Sequence, residues 1–152
     1  MDNCIRGIPY VEEAIEAKKW IKVTDYLRMY YLYSEGGIYL DCDIKILKPF
    51  DELLNSQMFV CRETDTVIAN SVIGAEKGHP LLESYLEKVN NFNGGGDMVF
   101  EPAERLFTDL VLGRYGEFSG IVCYSRDYFF PETEKAATKN TFTFHNFTRS
   151  WR

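Results

Sequence analysis

The stretch Thr24-Asp25-Tyr26-Leu27-Arg28-Met29-Tyr30-Tyr31-Leu32-Tyr33-Ser34-Glu35-Gly36-Gly37-Ile38-Tyr39-Leu40-Asp41-Cys42-Asp43 decides the fold. Thr24 reads as an N-cap with Asp25 in the favourable first turn, and Gly36-Gly37 supplies a left-handed stop, which predicts a helix over 24–35. Tyr26, Leu27, Met29, Tyr30, Tyr31, Leu32 and Tyr33 surround its axis, so the helix is expected to be largely buried. Asp25 and Arg28 stand among them as an i, i+3 couple. Buried charges are costly unless paired, so this couple is either a local salt bridge or a ligand-binding pair. Ile38-Tyr39-Leu40 then reads as a strand with Asp41-Cys42-Asp43 at its end. In extended backbone, residues i and i+2 share a face roughly 6.5 Å apart. Two carboxylates facing one cleft beyond a strand end suit a hard divalent cation, shared with substrate phosphates.

Outward from this stretch, Val11, Ala14 and Ile15 recur at helical spacing and predict an amphipathic helix from Tyr10 to Trp20. Ile44, Ile46 and Leu47 make a second strand piece before Lys48-Pro49. Further strands are expected at Met58 to Cys61, Val67 to Ile73, Ile121 to Tyr124 and Thr141 to Phe147. Two helical stripes come between them. One is Leu81, Leu82, Tyr85, Leu86 and Val89; the other is Ala103, Leu106, Phe107, Leu110 and Val111, with Pro102 at its first turn. Asn93-Gly94-Gly95-Gly96-Asp97 reads as a loop. The alternation predicts an α/β architecture.

The 152 residues make one modest domain, residues 1–152, and 45% hydrophobic content is enough for an ordinary core. The net charge of −6, with no basic cluster longer than Lys18-Lys19, excludes a duplex-wide nucleic-acid footprint. Neither a signal peptide near Met1 nor a membrane-length apolar run is present, which predicts a cytoplasmic setting. Cys4, Cys42, Cys61 and Cys123 lack metal or disulfide spacing and read as free, buried thiols. The sequon Asn146-Phe147-Thr148 overlaps the strand that carries His145; a glycan there would obstruct it. Taken alone, a histidine in an aromatic strand is more often a core or surface residue than a ligand.

The stretch Val23 to Asp43, closed by Leu47-Lys48-Pro49-Phe50, resembles the D-x-D sugar-binding region of one glycosyltransferase group. That group holds the yeast-type initiating α-1,6-mannosyltransferases, the α-1,4-galactosyl- and N-acetylglucosaminyltransferases, and bacterial capsular polysaccharide transferases. Ala69-Asn70-Ser71-Val72-Ile73-Gly74-Ala75, Gly78-His79-Pro80 and His145 to Trp151 resemble its later landmarks, in order. The resemblance implies a GT-A-like fold, a Rossmann-like mixed sheet flanked by helices, working on a nucleotide-sugar donor (a UDP- or GDP-hexose) with Mn2+ or Mg2+. It implies that Asp41, Asp43 and His145 hold the metal, with Asp41 also touching the donor. Asp25, Arg28, Gly37, Tyr39 and Trp151 would lie on the donor side, and Asn70 toward sugar and acceptor. No residue is assigned as acid or base; a metal on the diphosphate stabilises the leaving charge without proton transfer. The acceptor implied is a saccharide or glycolipid and the outcome retention of configuration. Membrane-linked acceptors in this group fit a peripheral position at the inner membrane face.

Two departures from the group's pattern stand out. The group usually begins with a strand patterned I-P-K-x-I-H-x-W and a helix, absent before Asp25 here, so the chain reads as N-terminally truncated. A homo-oligomer or a complementing N-terminal segment would then complete the site, and a non-catalytic remnant or partner subunit is the alternative reading. The second departure is Phe100-Glu101-Pro102, where relatives tend to show T-G-P. A dehalogenase-type phosphotransferase also places D-x-D after a strand, with the first Asp as nucleophile, but its motif continues Gly-Thr where Ile44-Lys45 stands.

Overall fold

A computed structural model describes residues 6–91, 103–114 and 120–146. Among these residues the α-helices and strands follow in the order α1 (Pro9–Glu16), α2 (Trp20–Glu35), β1 (Gly37–Leu40), β2 (Ile44–Ile46), β3 (Met58–Arg62), β4 (Ile68–Ala75), α3 (Pro80–Asn90), α4 (Ala103–Arg114), β5 (Ile121–Tyr124) and β6 (Thr143–His145). The strands form a four-stranded sheet ordered β1-β4-β3-β5 and a separate two-stranded ladder, β2-β6. Both β1 and β3 run antiparallel to β4, and β3 runs parallel to β5, giving the mixed sheet expected of a GT-A-like α/β fold.

The pleat of β3 and β4 explains the layering. Met58 and Val60 point to one face, Phe59 and Cys61 to the other, and Ile68 and Ile73 oppose Ala69 and Val72 in the same way. One face packs against α2, α3 and α4 through Tyr26, Met29, Leu82, Tyr85, Phe107 and Val111. The other packs against Leu53 and an aromatic cluster of Phe129, Phe130 and Phe142. A strand apolar on both sides must be central, and β3 and β4 are the inner pair.

The sequence reading needs correction at the first helices. The expected single helix from Tyr10 to Trp20 ends at Glu16, and α2 starts at Trp20, so Thr24 lies inside it. Its hydroxyl donates back to Ile21 O at 2.8 Å rather than capping. Lys18 makes the break. It takes φ +55°, with Lys18 N bonded to Ile15 O and Lys19 N to Ala14 O. These two bonds are a Schellman ending without its usual glycine, so no glycine marked the stop. Nor is α2 buried all round: Trp20, Ile21 and Tyr31 are exposed, and Cys42, expected inside, is exposed as well. A groove of about 330 Å3 between α2 and β1 runs past Leu27, Tyr31, Ile38 and Tyr39. No helix among the described residues is long and apolar enough to cross a membrane. Asn93 to Asp97, Phe100-Glu101-Pro102 and Trp151 lie outside the described residues.

Candidate active site

Because β1 runs against β4 while β3 and β5 run with each other, one end of the sheet gathers the exits of β1, β3 and β5 and the entry of β4. Asp41 leaves β1 there, its N–H still bonded to Ser71 O at 2.9 Å. Asp41 to Asp43 is a turn, closed by Ile44 N on Asp41 O at 3.1 Å, and not the extended segment expected from the spacing. The turn arises because the chain must leave the main sheet for the β2-β6 ladder. It still brings the two carboxylates together, since the turn folds Asp43 back toward Asp41.

The ladder supplies the third group. Its register pairs Ile44 with His145, which sets the imidazole over the turn. His145 Nε2 lies 2.9 Å from Asp43 Oδ1, and Asn146 holds the same turn by donating from its backbone N–H and its side-chain amide to Asp43 O. One ligand atom each from Asp41, Asp43 and His145 falls within 4.8 Å of the others. Two carboxylates and one imidazole can hold a divalent cation. Phe130 meets the His145 ring edge-on at 5.9 Å and fixes its plane.

Arg28 ties this turn to the core. Only 7% exposed, it forms an ion pair with Asp25 at 3.0 Å, donates to Asn70 O at 2.6 Å and stands 3.7 Å from Asp41 Oδ1. Its guanidinium lies 4.5 Å over the Tyr39 ring, and Tyr39 donates its hydroxyl to Asp41 Oδ1 at 2.7 Å. Burial raises the Asp25 carboxyl above its usual range, with Arg28 and Lys22 pulling the other way. Burial likewise raises the Tyr39 phenol, opposed by Arg28 and reinforced by the bond to Asp41.

Asp25, Arg28, Tyr39, Asp41, Asp43, Asn70 and His145 thus converge, Asn70 through its backbone oxygen. Gly37 does not join them: it opens β1 at the far end, opposite Ala75. Phe130 went unread in the sequence, and Asn146 was read only as part of a sequon beside His145, not as the clamp on the Asp43 turn. Glu63 and Glu104 were missed too; they hydrogen-bond to each other, and burial followed by the Glu63 charge lifts Glu104 to about 7.

Residues 4–60 match the family model described as a glycosyltransferase sugar-binding region containing a DXD motif. Over that segment the chain is similar to the DXD glycosyltransferase family. Inositol phosphoceramide mannosyltransferase 3 of Schizosaccharomyces pombe is 38% identical to this chain over 72 residues, covering 47% of the chain and 20% of the relative. Toxin Afp18 of Yersinia ruckeri is 36% identical over 124 residues, covering 76% of the chain and 6% of the toxin. The solved PaToxG glycosyltransferase superposes with a TM-score of 0.57 at 30% identity, over 73% of this chain and 40% of that one. The chain therefore spans less than half the length of each of these relatives.

Proposed function

We propose that this polypeptide is a metal-dependent hexosyltransferase, taking a sugar from a UDP- or GDP-hexose to a saccharide or glycolipid acceptor with retention. The observation that carries the reading is the convergence of Asp41, Asp43 and His145 within 4.8 Å, beside a buried Arg28. A cation bound there would neutralise the charge gathering on the leaving diphosphate. Asp41, Asp43 and His145 would hold it. Arg28, clamped by Asp25 and Asn70 O, presents a fixed donor toward the sugar beside Asp41, and its burial strengthens that interaction. Tyr39 orients the Asp41 carboxylate and leaves its second oxygen for ligand or metal. No proton transfer by a protein side chain is needed. Asn146, whose amide already holds the Asp43 turn, would lose that role if glycosylated, which supports a cytoplasmic setting.

Calorimetric titration of UDP and GDP with and without manganese tests the reading. One nucleotide is expected to bind in the presence of manganese, with Asp43→Asn weakening it at least about tenfold, or about 1.4 kcal/mol. Circular dichroism on the variant separates lost binding from lost folding. Absence of binding by both nucleotides in a folded chain would hand the case to a non-catalytic partner subunit. The dehalogenase-type alternative lacks support, since the family model and the superposed structure are both glycosyltransferases.

A further inference from the structure

The sheet end that presents Asp41 also carries the exits of β3 and β5, and a second cleft opens there, of about 660 Å3. Its charged lining is Arg62 at the end of β3, Glu63 and Asp65 just beyond it, and Arg126, Asp127 and Glu132 after β5. Phe130 lines it and also meets the His145 ring edge-on at 5.9 Å, so this cleft and the carboxylate-histidine cluster share one aromatic residue. The loops that shape it are internally braced: Arg62 donates to Asp65 O at 2.7 Å and Arg126 Nε to Phe130 O at 3.1 Å. A cleft of this size, lined mainly by charged and polar side chains with Phe130 among them, has room for a small hydrophilic ligand.

We propose that this cleft is the acceptor subsite and that it takes an uncharged polyhydroxylated group in preference to an anionic one; the proposal rests on the transferase reading. Four carboxylates face two guanidinium groups, so the lining is net negative and repels a phosphate. Hydroxyl groups both donate and accept, and a wall that alternates carboxylate acceptors with guanidinium donors satisfies both roles at once. An anionic headgroup would find two donors and four repulsions. The shared residue Phe130 places such a group next to the cluster assigned to the donor.

The test is an amide-resolved NMR titration of the whole chain with two probes, methyl α-D-hexopyranosides (manno, galacto and gluco) and myo-inositol 1-phosphate. A methyl hexoside is expected to shift resonances from 62–65 and 125–132 saturably, while the phosphate leaves them in place. Ala136→Trp, at an exposed position on the cleft rim, should weaken the sugar at least about tenfold without moving resonances of 41–43. Tighter binding of the phosphate, or sugar shifts that map elsewhere, would overturn the proposal. Nucleotide with manganese is titrated separately: a cleft silent to sugar in a chain that binds nucleotide overturns the acceptor site alone, and a chain that binds neither overturns the transferase reading as well.

Discussion

Arg28 sits where three partners need it at once, the Asp25 carboxylate, the Asn70 carbonyl and Asp41, with Tyr39 beneath its plane. Removing one member of a buried ion pair strands the other charge, so Arg28→Ala should cost about 3 kcal/mol in urea unfolding. Arg28→Lys keeps the charge but not the fork, and should recover less than half of that loss. The i, i+3 spacing made the Asp25 pairing legible from the sequence. The contact with Asn70 O was not, because it spans 42 residues and depends on β4 lying beside β1. Glu104 is a purely tertiary effect, since nothing local marks a carboxyl lifted to about 7 by burial and by Glu63. A carboxyl whose folded pKa is raised binds its proton more tightly when folded, so stability falls as pH rises from about 4.5 to about 7 and is then level. Glu104→Gln should therefore stabilise the protein at pH 8 and do little at pH 4. For a half-buried, solvent-screened pair the gain is about 1 kcal/mol, read as the difference between urea midpoints at the two pH values.

Single elements depend on backbone detail that apolar patterning does not report. Lys18 occupies the left-handed position of a Schellman ending, where a Cβ is unfavourable. Lys18→Gly should stabilise by about 0.5–1 kcal/mol, and a thermal melt showing a lower midpoint would refute this account of the α1 stop. The opposite holds at Gly74. It faces Phe59 across the β3-β4 ladder, and a Cβ there would come within 2.0 Å of that ring, itself stacked on Phe129 at 6.0 Å. Gly74→Ala should cost about 2 kcal/mol or more, measured as a fall in the urea midpoint at unchanged slope. Strand positions were readable because β-branched and aromatic runs mark them. The turn at Asp41 to Asp43 was not readable, because the alternation of a strand says nothing of when the chain leaves the sheet.

At the scale of the molecule, the order of helices and strands was evident from periodicity, and the D-x-D stretch lies at the exit of β1, as its place after Ile38-Tyr39-Leu40 implied. What periodicity could not supply was the partition of strands into two sheets, since β2 and β6 pair across about a hundred residues of chain. Asp41 belongs to the end of the larger sheet, Asp43 and His145 to the ladder. On the metal-dependent reading, manganese at a hundredfold over its dissociation constant should add about 2.7 kcal/mol of stability. That gain should vanish in Asp43→Asn, and differential scanning calorimetry measures both. The lateness of β6 in the chain has a temporal meaning. Until Thr143–His145 has docked, the turn at Asp43 lacks both its clamp and its imidazole, while every strand of the main sheet is already available to pair. In the order of synthesis the Asp41–Asp43 turn is thus made about a hundred residues before the strand that clamps it, and its two carboxylates meet the imidazole only when β6 pairs with β2.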